Sequence, residues 1–167
     1  FFGAYYIGTQ FTPSNETDLW VTWYYNWLGQ PWKAQREVRQ AMSVYSSRPD
    51  GMPGNDDTGT MAAWYVLASL GLYHAAPGSQ AWQISSPAFE HTVVHVGGQR
   101  KLVIDADGAS RVRKYVQSAT LNGKQFERTW LTSHDVHHGG RLHYVLGALP
   151  NKTWATSPDA APPALSR

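Results

Sequence analysis

Cysteine is absent from the 167 residues, which excludes disulfides, thiolate metal sites and cysteine nucleophiles together. Charge is sparse. Fourteen Lys and Arg stand against 12 Asp and Glu, 16% of the chain, for a formal net charge of +2. The basic residues are scattered, with Arg36, Arg39 and Arg48 the densest group on a predicted helix and its exit, so the electrostatic footprint of a nucleic-acid partner is missing. No apolar run reaches the ~18–20 residues of a membrane span, so no membrane partner is expected. Neither a Gly-x-Ser-x-Gly elbow nor a phosphate loop nor a dinucleotide fingerprint occurs, which removes serine-hydrolase and nucleotide chemistry.

What the chain has in surplus is aromatic residues: 8 Trp, 9 Tyr and 5 Phe, 13% of the total. Aromatic faces stack on the apolar faces of sugars, so part of this surplus makes carbohydrate a natural ligand class. The opening Phe1-Phe2 is expected of a fragment or processed piece rather than of a native start. Asn15-Glu16-Thr17 and Asn151-Lys152-Thr153 read as glycosylation sequons, in keeping with a secreted or periplasmic location.

The first half reads as helical and the second half as strands, an α+β fold. Helices are predicted over Asp18–Leu28, stopped by Gly29, over Pro31–Tyr45 with proline in its first turn, and over Thr58–Leu72. Residues 75–80 form a Pro/Gly/Ser hinge. Beyond it, short strands are predicted at Trp82–Ser85, Thr92–Val96, Lys101–Ala106, Tyr115–Leu121 and Arg141–Leu146. Asn122-Gly123 is a hairpin turn signal leading to Lys124–Glu127. The expected division is 1–74 helical, 75–155 a small antiparallel β-rich subdomain, and 156–167 a disordered Pro/Ala/Ser tail.

The densest chemistry lies in PDGMPGNDDTGTMAAWY, residues 49–65, where a Gly/Pro-broken loop delivers Asp56 and Asp57 to the start of an apolar helix. One reading is helix capping, since acids at a helix start are dipole partners worth about 0.3–1 kcal/mol. The other is catalytic, because glycosidic bonds are cut by paired carboxylates ~5–5.5 Å apart in retaining enzymes and ~6.5–9.5 Å apart in inverting ones. Neighbouring aspartates cannot flank a scissile bond from both sides, so one would be the base and the other would orient it or hold a metal. The second catalytic carboxylate must come from elsewhere, with Glu16 and Asp18 in the TPSNETD loop the local options. Asn15, Glu16, Asp56 and Asp57 are also hard oxygen donors of the kind calcium takes, 6–8 at a time, though not with EF-hand spacing. His134, His137 and His138 fit a short helical turn before Gly139-Gly140 better than any zinc signature.

Three segments, YYNWLGQPWKAQREVR, DGMPGNDDTGTMAAWYVLASLGLY and SATLNGKQFERTWLTSHDVHHGGRLHYVLGALPNKTWA, together resemble glycoside hydrolase family 92, the calcium-dependent exo-acting α-mannosidases. The resemblance runs from about Phe1 to Ala155 and keeps the family's motif order. It implies the last helices of an (α/α)6 toroid followed by a terminal β-rich part. The family inverts the anomeric centre with an aspartate base. Asp57 matches that base in the family's acidic loop, while Asp56 and Asn55 match polar positions that orient water or contact sugar. Asn15 and Glu16 match a Gly-Asn-Glu-Pro segment, so Glu16 is expected at the substrate and Asn15, Glu16 and Asp57 at the calcium. After Glu16 this chain departs from the pattern, with Leu19 and Trp20 where polar residues are usual. The general-acid glutamate is implied to lie upstream of Phe1, so the chain alone is expected to be inactive. A noncatalytic carbohydrate-binding or structural module is the rival reading.

Overall fold

Pro31 fixes φ in the first turn of a helix whose residues 34, 38, 41 and 42 fall on one buried face. The computed structural model, which describes residues 11–164, has this helix at Pro31–Met42 (α1). It stops three residues short of the expected end, where the Ser43 hydroxyl donates to the Gln40 carbonyl at 2.6 Å and the chain leaves in turns. The second helix, Thr60–Ser69 (α2), buries Met61, Trp64 and Ala68 and leaves Tyr65 and Val66 exposed.

The helix expected over Asp18–Leu28 is instead two 3-10 turns, Glu16–Asp18 and Val21–Asn26. Bulky aromatic and β-branched side chains lose χ1 freedom against an α-helical turn, which weakens the α form of this run. Tertiary anchors decide the rest. Trp64 Nε1 donates to the Leu19 carbonyl at 2.9 Å, and the buried Asn26 amide donates to the Ile84 carbonyl at 3.0 Å.

Eight strands follow: β1 (Leu72–Tyr73), β2 (Ala81–Ile84), β3 (His91–His95), β4 (Lys101–Asp107), β5 (Tyr115–Leu121), β6 (Lys124–Gln125), β7 (Trp130–Thr132) and β8 (Gly140–Gly147). They make an antiparallel sheet ordered β1-β2-β7 and a five-stranded sheet ordered β3-β4-β8-β5-β6. The α+β class is as the sequence indicates, but the larger sheet is mixed rather than antiparallel, because β4 and β8 run parallel. That pairing needs a crossover, and a short helix, Ser133–His138 (α3), carries the chain into β8. Thr132 and Asp135 close α3 with a reciprocal capping box, and the three histidines sit on this turn as expected. Asn122 and Gly123 adopt positive φ (51° and 78°) in the two-residue turn between β5 and β6, as that dipeptide predicts.

Two apolar clusters result among the described residues. One gathers Leu19, Trp23, Val38, Met61 and Trp64; the other gathers Ile84, Leu102, Ile104, Leu131, Tyr144 and Trp154. Polar clamps cross between the helices and the β-rich part. Buried Gln35 of α1 accepts from the Val116 amide at 3.1 Å, and Arg39 donates to the Pro87 and Ser110 carbonyls, both at 2.8 Å. The expected disordered tail is corrected over 156–164: Pro158–Ala160 forms a 3-10 turn, and the Ala160 carbonyl accepts from both the amide and the hydroxyl of Thr129 at 2.9 Å. Residues 1–10 and 165–167, including Phe1-Phe2, lie outside the described residues.

Candidate active site

Two loops meet because one residue lacks a side chain. Gly54 packs so tightly on the backbone of Ser14 that a Cβ would collide with its carbonyl, and this brings the loop before α2 against the turn holding Asn15 and Glu16. The Trp64–Leu19 hydrogen bond ties the same two regions from below. Leu19, the departure that could not ligate a cation through its side chain, is a fully buried core residue.

Both aspartates of the pair are exposed, and they differ in their hydrogen bonds. Asp56 Oδ1 accepts from the backbone amides of Met61 at 2.8 Å and Ala62 at 2.9 Å, so one oxygen of this carboxylate is committed to the orphan donors of α2. Asp57 is exposed, and among the described residues its carboxylate makes no hydrogen bond or ion pair. Only its backbone carbonyl is engaged, by the hydroxyls of Thr58 at 2.7 Å and Thr60 at 2.8 Å. Between Asp57 and α2 the chain takes two left-handed residues, Thr58 at φ 53° and Gly59 at φ 81°. A β-branched residue in that region is strained, and the two left-handed residues separate Asp57 from the regular turns of α2.

Asn15 precedes the turn Glu16–Asp18 in an extended conformation, is exposed, and lends its carbonyl to the Asp18 amide at 3.0 Å. Glu16 is half-buried, and its Oε1 is buried without a hydrogen-bond partner among the described residues. Asn55 is exposed on the loop. Tyr45, which the sequence did not single out, stacks on Trp64 of α2 with centroids 5.8 Å apart. Burial pushes its phenol well above the ordinary tyrosine range, and the carboxylates of Asp56 and Glu16, with Tyr73, add to the shift. No local signal marks Tyr45, since a tyrosine at a helix exit is ordinary.

Asn15, Glu16 and Asp57 supply hard oxygen donors, and the unpartnered Glu16 Oε1 suits a cation or a hydroxyl group. They are too few to fill a calcium shell, and no cluster of three or more His, Cys, Asp or Glu suited to a metal occurs among the described residues. A cleft of about 610 Å³ opens beside Tyr45, walled by Arg39, Tyr65, Phe89, Arg111 and Lys114. A second, of about 530 Å³, lies between Arg48, Met52 and Val66. Asp56 and Asp57 line neither. The Asp57 carboxylate, exposed and without a hydrogen-bond partner among the described residues, is able to accept a proton from a bound water.

Comparison with known proteins agrees with the motifs. The sequence profile for the glycosyl hydrolase family 92 catalytic domain matches residues 3–148. A protein of Arthroderma benhamiae, described as an uncharacterized secreted glycosidase, is 33% identical over 155 residues, covering 90% of this chain and 20% of that protein. A family GH92 α-mannosidase from Bacteroides thetaiotaomicron, solved with mannoimidazole, superposes with a TM-score of 0.90 at 35% identity, over 93% of this chain and 21% of that one. An inverting GH92 mannosidase from the same organism gives 0.81 at 33% identity, over 86% and 20%. The chain spans about a fifth of the length of these relatives.

Proposed function

The chain belongs to glycoside hydrolase family 92, and on that premise we propose that it is the closing part of the catalytic unit of an inverting exo-α-mannosidase. In this reading α1 and α2 are among the last helices of an (α/α)6 toroid, and the enzyme removes terminal α-linked mannose from glycans outside the cell. The secreted description of the Arthroderma relative supports that location. The observation that carries the reading is the difference between neighbouring aspartates, one bonded to α2 and one without a hydrogen-bond partner among the described residues.

Asp57 takes a proton from a water molecule as the water oxygen bonds to C1 of the mannosyl ring. The C1–O bond to the leaving group breaks on the opposite face, and a general-acid glutamate supplied by the rest of the enzyme protonates the departing oxygen. Asp56 fixes the loop that aims Asp57, while Asn55 and Glu16 offer polar atoms to the sugar hydroxyls. Asn15, Glu16 and Asp57 would contribute to a calcium site completed from beyond this chain. Bound there, the ion supplies a hard positive anchor for sugar oxygens.

Losing general-acid assistance removes about 10²–10⁴-fold in rate, so residues 1–167 alone should be nearly inactive. Proton NMR of an α-mannoside digest tests both points. The longer parent chain should release β-mannose first, and residues 1–167 should release little of either anomer. Initial release of α-mannose, or robust turnover by the 167 residues alone, would reject the proposal.

A further inference from the structure

Gly54 is required by space rather than by backbone twist. Its φ lies outside the left-handed region, so what excludes a side chain there is the neighbouring chain. A Cβ would strike the Ser14 carbonyl oxygen and lie 3.0 Å from its carbon and 3.1 Å from the Ser14 Cα. These are backbone atoms, which cannot swing aside as the end of a long side chain can. Both partners are braced. The Thr12 hydroxyl accepts from the Ser14 amide at 3.3 Å and bonds the Ser14 hydroxyl at 2.6 Å. Beyond Ser14, the Asn15 carbonyl accepts from the Asp18 amide at 3.0 Å, and the Leu19 carbonyl is held by Trp64. In the other loop the Gly51 amide donates to the Arg48 carbonyl at 2.9 Å, its carbonyl accepts from the Ser46 amide at 3.0 Å, and Pro53 is buried.

We propose that Gly54 is a positioning residue of the site: its bare backbone contact with Ser14 sets the spacing between the turn of Glu16 and the loop of Asp57. Glu16 lies two residues beyond Ser14, and Asp57 three beyond Gly54. This role rests on Asp57 being the general base. Gly54 touches no reacting atom. It acts by holding the side chain offered to the sugar in register with the one that activates water. With stiff backbone on both sides, an added methyl group can be relieved only by moving one loop off the other. Relief to ordinary contact takes a shift of about 1 Å, and a misplacement of that size costs about 10²-fold in rate.

Gly54→Ala, made in the longer parent chain that hydrolyses α-mannosides, adds only the colliding atom. The expected result is a kcat per folded molecule about 10²-fold lower with KM within about threefold, as for alignment used in the transition state. Gly51→Ala is the matched control. A Cβ at Gly51 would collide with the Ser46 carbonyl, so this change strains the same loop without touching the Ser14 turn. Its melting temperature should fall while its kcat stays within about threefold of wild type. Unchanged kcat in Gly54→Ala would overturn the proposal, as would a raised KM at constant kcat, or equal kcat losses in the two variants. Should Gly54→Ala fail to fold, Thr12→Val takes its place, since it removes the brace on the Ser14 peptide and adds no bulk. A kcat several-fold lower at constant KM is expected there, and an unchanged kcat would overturn the proposal equally. If Asp57→Asn retained full turnover, the general-base reading and the positioning role would fall together. If Asp57→Asn abolished turnover while Gly54→Ala did not affect it, only the positioning role would fall.

Discussion

Asp56 and Asp57 are chemically the same residue one peptide apart, and the backbone makes them different. Asp56 accepts two amides of α2, whereas the Asp57 carboxylate has no hydrogen-bond partner among the described residues, and two left-handed residues, Thr58 and Gly59, stand between it and the helix. If Asp56 works chiefly as an acceptor, its charge matters less than its Oδ1. Asp56→Asn should therefore keep the fold near wild-type stability, while Asp56→Ala should lower it by about 0.5–2 kcal/mol, the range for losing a helix cap. Urea unfolding of both variants reads this directly, and equal losses in the two would show that the amide contacts contribute little. At this scale the sequence was most legible where chemistry is local. The acidic pair, its loop and the helix after it follow from residue types alone. The approach of the Asn15–Glu16 turn to that loop does not, because it depends on Gly54 seated against Ser14 and on the Trp64–Leu19 hydrogen bond between separate elements.

Among the elements, the expected strands recur in the larger sheet with ends shifted by a residue or two, because alternation and turn residues encode them locally. The expected helix over Asp18–Leu28 failed for the opposite reason: its run is apolar enough for a helix, but distant partners such as Ile84 and Trp64 hold it as 3-10 turns. The parallel β4–β8 pairing was equally invisible, since register across a crossover leaves no mark in either strand. That pairing has a consequence for acid stability. Asp105 of β4 is mostly buried, and burial pushes its carboxyl up. The hydrogen bond from His91 of β3 at 2.7 Å and the charge of Arg141 of β8 at 2.7 Å outweigh that effect, so the net shift is downward. A carboxyl depressed in the fold contributes stability above its unfolded value, about 3.9, and loses that contribution as pH falls through its folded value. Thermal melts between pH 7 and pH 3 should fall more steeply for the wild type than for Asp105→Asn. Parallel slopes would mean that the three-strand ion cluster adds nothing.

For the whole molecule, the exposure of Asp57 and the fivefold greater length of the relatives fit together. In the proposed reading, Asp57 accepts the proton, and the opposing acid and the binding wall belong to the part of the enzyme beyond these 167 residues. The β-rich part is fastened to the helices, since Gln35 and Arg39 of α1 bond the Val116 amide and the Pro87 and Ser110 carbonyls. The central claim is that Asp57, not Asp56, removes the proton from the attacking water. Steady-state hydrolysis of an α-mannoside by the parent enzyme carrying Asp57→Asn tests it most directly. The account predicts a kcat lower by about 10²–10⁴-fold with the fold intact by circular dichroism. Turnover within a few-fold of wild type in that variant would contradict it.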